Sequence, residues 1–185
     1  MSIKSEKVCP VEKAGSLDNK FRKLIHNPYK ILKPYIQDGM NALDVGCGPG
    51  FFTIGLAHMV GEKGKVVAAD LQDGMLKIVK SKIIENDLEN RVVLHKCEAD
   101  KIGLNKQFDF ILLFYLVHEI PDKVRFFHEI SSLLKPDGQI LVAEPPFHVS
   151  KDAFAKSLYD ANKAGLVSYK GPKLLFSKTA ILKNQ

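Results

Sequence analysis

Apolar positions along this chain follow two alternating rhythms. Short, largely apolar runs read as strands, and the nearly unbroken run 108–114 reads as one covered on both faces. The runs are residues 41–46, 66–70, 92–95, 108–114 and 139–144. Between them, apolar residues recur at helical spacing. Phe51 to Met59 predicts a helix closed by Gly61 to Gly64. Met75, Ile78, Val79 and Ile83 trace one face of a helix over 73–86. Val124, Phe127, Ile130 and Leu133 do the same over 122–134, where Lys135-Pro136-Asp137-Gly138 predicts a stop by turn chemistry. Ser150 is placed to cap a helix running to Ala164, with Gly165 ending it. Leu166 to Tyr169 and Leu174 to Leu182 predict two last strands, paired antiparallel around Gly171-Pro172. Ahead of all these, residues 17–36 read as one or two helices, with Leu17, Phe21, Leu24 and Ile25 before the break at Asn27-Pro28.

Strand and helix in alternation point to an α/β fold, a parallel sheet covered by helices. A length of 185 residues suits one domain, with residues 1–38 as a helical lid segment and 40–185 as the α/β core. Hydrophobic residues at 45% and charged residues at 26% are those of a globular chain and exclude general disorder. No run approaches the ~20 apolar residues of a spanning helix, and Met1 to Lys7 holds no signal-peptide core. The expectation is a cytoplasmic protein with no membrane partner. Cys9, Cys47 and Cys97 are too sparse for a disulfide framework and lack zinc spacing, so no metal is expected. The net charge of +6 is uneven: residues 1–40 carry +4, 41–150 carry −3 and 151–185 carry +5. Lysine supplies nearly all of it, and the only arginines are Arg22, Arg91 and Arg125. Arginine is the preferred fork for phosphates and base edges, so a nucleic-acid partner is disfavoured and a solvated lysine surface favoured.

The densest chemistry lies at the turn Gly46-Cys47-Gly48-Pro49-Gly50 after the first strand. Glycine lets the backbone bend sharply and a ligand approach closely. The turn falls at the carboxyl end of a strand, where open parallel sheets bind ligands. A dinucleotide fingerprint would place a small residue at position 51, where this chain has Phe51. Asp44 lies inside an apolar strand, and a buried carboxylate needs a partner. The cationic amino group of a bound methionine moiety would supply one. Asp70 ends the second strand, where a carboxylate accepts from both hydroxyls of a ribose or caps the next helix. Glu98 and Ala99 follow the third strand, where an acid and backbone amides can read an adenine edge.

The chain resembles the class I S-adenosylmethionine-dependent methyltransferases, in particular the small-molecule group known as methyltransferase type 11. The resemblance spans residues 40–145 and rests on Leu43-Asp44-Val45-Gly46-Cys47-Gly48-Pro49-Gly50, Ala69-Asp70-Leu71, Glu98-Ala99, Phe108-Asp109, Val117-His118-Glu119, Leu134 to Gly138 and Glu144-Pro145. It implies a Rossmann-like doubly wound seven-stranded sheet of order 3-2-1-4-5-7-6 with strand 7 antiparallel. It also implies S-adenosylmethionine as cofactor, S-adenosylhomocysteine as product, and a small-molecule acceptor. Gly46, Cys47 and Gly48 would line the methionine part, Asp70 would hold the ribose, and Leu71 would lie on the adenine. Glu98 and Ala99 would flank the adenine amino group, with Phe114 and Tyr115 near the sulfonium.

Methyl transfer from a sulfonium is an in-line displacement whose donor is already activated, so alignment and exclusion of water dominate. A neutral hydroxyl or amine acceptor gains from a general base. Tyr115, His118 and Glu144, at the carboxyl ends of strands four and five, are the candidates. Three other readings stay open: an RNA or protein methyltransferase using the basic flanks, a non-catalytic binding module for the cofactor, and a nicotinamide dehydrogenase. Phe51 and Asp44 disfavour the dehydrogenase.

Overall fold

A computed structural model describes residues 11–13 and 25–185. The predicted helical positions Leu17, Phe21 and Leu24, and Cys9, lie outside the described residues. Seven strands form one sheet: β1 (Asn41–Val45), β2 (Lys65–Asp70), β3 (Val92–Lys96), β4 (Phe108–Phe114), β5 (Leu134–Glu144), β6 (Leu166–Lys170) and β7 (Lys178–Asn184). Among the described residues five α-helices accompany them: α1 (Pro28–Leu32), α2 (Phe51–Met59), α3 (Asp73–Glu85), α4 (Lys123–Ser132) and α5 (Lys151–Lys163). The strand order is β3-β2-β1-β4-β5-β7-β6, and β7 runs antiparallel to both of its neighbours. The expected order and the antiparallel seventh strand are therefore observed.

Alternation along each strand sorts side chains onto two faces. Ala42, Val66, Ala68, Phe110 and Leu112 meet Leu32 of α1, Leu56 of α2 and Val79 of α3. Leu43, Val45, Ile111, Leu113, Ile140 and Val142 meet Phe127 and Ile130 of α4 and Ala161 of α5. Burial on both faces is why the strands read as apolar runs rather than as alternating ones. Phe108 and Phe110 share parity yet lie in opposite cores, because the pairing of β4 with β5 shifts between them. Phe108 pairs Leu134 and Phe110 pairs Gln139, so the predicted stop at Lys135 to Gly138 is a bulge inside β5. All four residues of that expected turn thus belong to the strand. At the other end, Ser150 caps α5 as expected, its hydroxyl accepting from Ala153 N at 3.0 Å. β7 begins at Lys178, later than the predicted Leu174.

Strand order reverses between β1 and β4, since β2 and β3 build outward on one side and β5 on the other. The carboxyl ends of β1 and β4 therefore flank a crevice of the kind in which open α/β sheets bind ligands. Gly46 to Gly50, Asp70, Cys97 to Ala99, Tyr115 to Glu119 and Glu144 all fall at that edge.

Candidate active site

The turn after β1 adopts left-handed backbone at Gly46, Gly48 and Gly50, with φ of 66°, 53° and 80°. L side chains are strained in that region, which explains the glycines. A Cβ on Gly46 would also lie 2.8 Å from Leu116 Cδ1. The turn is tied to the neighbouring strand at several points. Gly46 N and Cys47 N donate to Ala69 O at 2.8 and 3.1 Å. Gly48 N donates to Asp70 Oδ2 at 2.9 Å, and Gln72 N to Asp70 Oδ1 at 2.8 Å.

Asp70 thus clasps the glycine turn and the entry to α3 at once. Burial pushes its carboxyl above the ordinary aspartate range, against the N–H groups of Gln72, Gly48 and Leu71. A carboxylate offers about four lone-pair sites, so accepting from Gly48 and Gln72 does not exhaust it. Asp44 is also buried, and its Oδ2 accepts from Thr53 Oγ1 of α2 at 2.7 Å. Thr53 was not among the residues singled out from sequence. The available signal was a lone hydroxyl between Phe52 and Ile54, facing a strand that carries a buried acid.

Leu71 is 37% exposed, and Glu98 and Ala99 are exposed beside it. Glu98 N donates to Lys101 O at 2.9 Å, closing a tight loop after β3. Cys97 N donates to Asp70 O, which sets this loop against the end of β2. The two thiols nearby are poor nucleophiles: burial pushes Cys97 up to about 12 and Cys47 higher still.

On the other side of the crevice, Phe114 turns into the core against Phe52, ring centroids 4.3 Å apart. Tyr115, next along, has a φ of 60°, unusual for a bulky residue and frequent at functional sites. Its hydroxyl lies 3.1 Å from His26 Nε2 and 2.7 Å from Ser177 Oγ. His26 and Ser177 were not foreseen from sequence.

His118 and Glu144 meet as a pair. Glu144 is 1% exposed, so it does not face the crevice directly. Its Oε2 lies 2.5 Å from His118 Nδ1, and its Oε1 accepts from His118 N at 3.3 Å. Facing an ionised carboxylate, which only accepts, Nδ1 would carry the proton, and the neutral ring would then present its lone pair at Nε2. The hydrogen bond to Glu144 raises the His118 pKa above the ordinary histidine value, opposed in part by burial. His148 stands 6.3 Å away, ring to ring. Among the described residues, no group of three or more His, Cys, Asp or Glu side chains could hold a metal ion.

A family model for a methyltransferase domain matches residues 36–178. The chain belongs to that methyltransferase family, and its sheet is the Rossmann-like sheet expected for it. The chain is 32% identical over 123 residues to the ubiquinone/menaquinone biosynthesis C-methyltransferase UbiE of Shewanella frigidimarina, a match covering 66% of this chain and 48% of that protein. It is 33% identical to the demethylmenaquinone methyltransferase of Bacillus cereus over 59% of this chain and 46% of that one. The chain spans about half the length of the curated relatives it matches. The crystal structure of a SAM dependent methyltransferase from Aquifex aeolicus superposes with a TM-score of 0.84 at 28% identity, covering 94% of this chain and 97% of that one.

Proposed function

We propose that this chain is an S-adenosylmethionine-dependent methyltransferase acting on a small-molecule acceptor. The observation that carries the reading is the clasp between Asp70 and Gly48. It joins a glycine-rich turn to a carboxylate at the adjacent strand end, which makes one cradle from the ends of β1 and β2. The residues present fit the cofactor. Gly46, Cys47 and Gly48 would line its methionine part, Asp44 would face its amino group, Asp70 would accept from the ribose, and Leu71, Glu98 and Ala99 would border the adenine. When bound, the cofactor supplies an activated methyl group on sulfur. Leu116, against Gly46, and Tyr115, held by two hydrogen bonds, would border the place where that sulfur and the acceptor meet.

His118 is the general base of this reading. Its Nε2 would take the acceptor's proton as the acceptor–carbon bond forms and the sulfur–carbon bond of the cofactor breaks, with S-adenosylhomocysteine as the leaving group. Glu144 keeps the ring in the tautomer that does so and stabilises the imidazolium that forms. The Shewanella relative is named a C-methyltransferase of ubiquinone/menaquinone biosynthesis and the Bacillus relative a demethylmenaquinone methyltransferase, which favours a quinone-type acceptor methylated at carbon. Two buried free thiols suit a reducing compartment, in keeping with a cytoplasmic location. The test is incubation with methyl-labelled S-adenosylmethionine and a panel of phenols, hydroxyquinones and amines. Label is expected in an acidic phenol or hydroxyquinone, and transfer is expected to fall by about 10²–10⁴ in His118→Gln. Tight cofactor binding with no transfer to any acceptor would favour a non-catalytic binding module.

A further inference from the structure

Three apolar side chains at one edge of the sheet project into solvent: Phe147 is 91% exposed, Phe176 67% and Leu175 57%. They belong to two loops that leave the sheet side by side. Glu144 at the end of β5 pairs with Lys178 at the start of β7, and Lys178 Nζ donates to Pro146 O at 3.5 Å. The loops straddle the acceptor side of the site. His148, next to Phe147, faces the His118 ring, and Ser177, next to Phe176, bonds the Tyr115 hydroxyl. Phe176 holds a φ of 60°, a conformation that aromatic residues seldom adopt, with its ring outward.

The surroundings are basic. Lys170, Lys173 and Lys178 punctuate a stretch that contains no acidic residue. Beside it, a groove of about 220 Å³ runs between this stretch and α1, lined by Lys30 and Lys173 together with Ile31, Leu174 and Leu175. Apolar tips bordered by ammonium groups match a partner that is apolar inside and negatively charged at its surface. A nucleic acid offers the charge without the apolar interior, and arginine, its preferred phosphate fork, is scarce in this chain.

We propose that the loops around Phe147 and Phe176 form a docking tip that seats the protein on an anionic bilayer surface. The two phenyl rings enter the headgroup region and the lysines meet lipid phosphates. Such docking requires no spanning helix, and no helix among the described residues is long and apolar enough to cross a membrane. It sets the acceptor side of the site against the lipid surface. The inference goes beyond the methyl-transfer reading and does not depend on it.

The test is co-sedimentation of the full chain with vesicles of phosphatidylcholine containing a third phosphatidylglycerol, and with vesicles of pure phosphatidylcholine. The wild type is expected to pellet with the anionic vesicles and to bind the neutral ones at least about tenfold more weakly. A Phe147→Ser, Phe176→Asn double variant is expected to lose about tenfold or more in anionic-vesicle affinity. Its melting temperature and S-adenosylmethionine affinity should stay at wild-type values, since both side chains are exposed and asparagine tolerates the left-handed φ. No pelleting with anionic vesicles would overturn the proposal. So would undiminished pelleting of the folded double variant, and equal affinity of both proteins for a duplex RNA probe would then mark a general polyanion surface. Loss of cofactor binding in a wild type that still pellets would instead overturn the methyl-donor reading alone.

Discussion

Replacing Asp70 with asparagine keeps its shape and removes its charge. Burial raises the Asp70 pKa, so the ionised form is disfavoured in the fold despite its bonds to Gly48 N and Gln72 N. A carboxyl whose folded value lies above its unfolded value costs stability as pH rises from the ordinary aspartate range through the raised value. Once ionised, the Asp70 carboxylate is thus held against a stability cost, as is common where a carboxylate serves a ligand. Asparagine relieves that cost. Its amide oxygen accepts from one of the two N–H groups, and its NH₂ opposes the other, a loss of about 1 kcal/mol. The two effects oppose each other, so the melting temperature should move by no more than about 2–4 °C. Cofactor affinity should respond more strongly. Hydroxyl bonds to an ionised acceptor are worth about 1.5–3 kcal/mol, and their weakening predicts roughly ten- to hundredfold lower S-adenosylmethionine affinity by calorimetry. A cofactor analogue lacking a ribose hydroxyl should show a smaller wild-type to Asp70→Asn difference. Equal affinities for S-adenosylmethionine in the two proteins would refute the ribose assignment. A melting-temperature loss well above 4 °C with unchanged affinity would make Asp70 a purely structural clasp.

Other substitutions probe the remaining supports. Thr53→Val removes the hydroxyl that bonds buried Asp44, and urea unfolding should report a loss of about 1–3 kcal/mol; a loss under about 0.5 kcal/mol would show that Asp44 is satisfied without it. Gly46→Ala places a Cβ at a φ of 66° and 2.8 Å from Leu116 Cδ1. A strain of about 1–2 kcal/mol should lower the melting temperature by about 2–8 °C and weaken cofactor binding, and Leu116→Ala in the same chain should restore little, because the backbone strain remains. Glu144→Gln should lower the His118 pKa, read by NMR titration of its ring protons, because the carboxylate that raises it is gone. In the wild type the pair stabilises the fold below the ordinary histidine value of 6.5 and loses that contribution as pH rises through the raised value; the variant should lack this pH dependence.

The central elements were legible because their signals are local. Phe108 to Phe114 is an apolar run whose ends coincide with β4, and Phe51 to Met59 coincides with α2. Ser150 advertised a cap that it makes. Lys135 to Gly138 also has real turn chemistry, but pairing resumes on both sides of it, and only the partner strand β4 decides that. Leu174 to Phe176 looks like strand by composition, yet these residues form the loop before β7 with Leu175 and Phe176 in solvent. Within the site, the glycine turn and Asp70 could be found because a left-handed backbone and a strand-end acid leave marks in a single stretch. The Tyr115 bonds to His26 and Ser177 span 89 and 62 residues, and no local pattern encodes them. Glu144 could be recognised as an acid at a strand end, whereas its near-complete burial behind His118 follows from packing of the loop after β4 against β5.

A titration of isotopically labelled protein with S-adenosylmethionine, followed by backbone NMR, tests the central claim most directly. Saturable shifts should concentrate at Gly46, Gly48, Asp70, Leu71 and Ala99, with smaller ones at Tyr115 and His118. Absence of saturable shifts, or shifts confined to the opposite end of the sheet around Asp109 and Lys135, would contradict it.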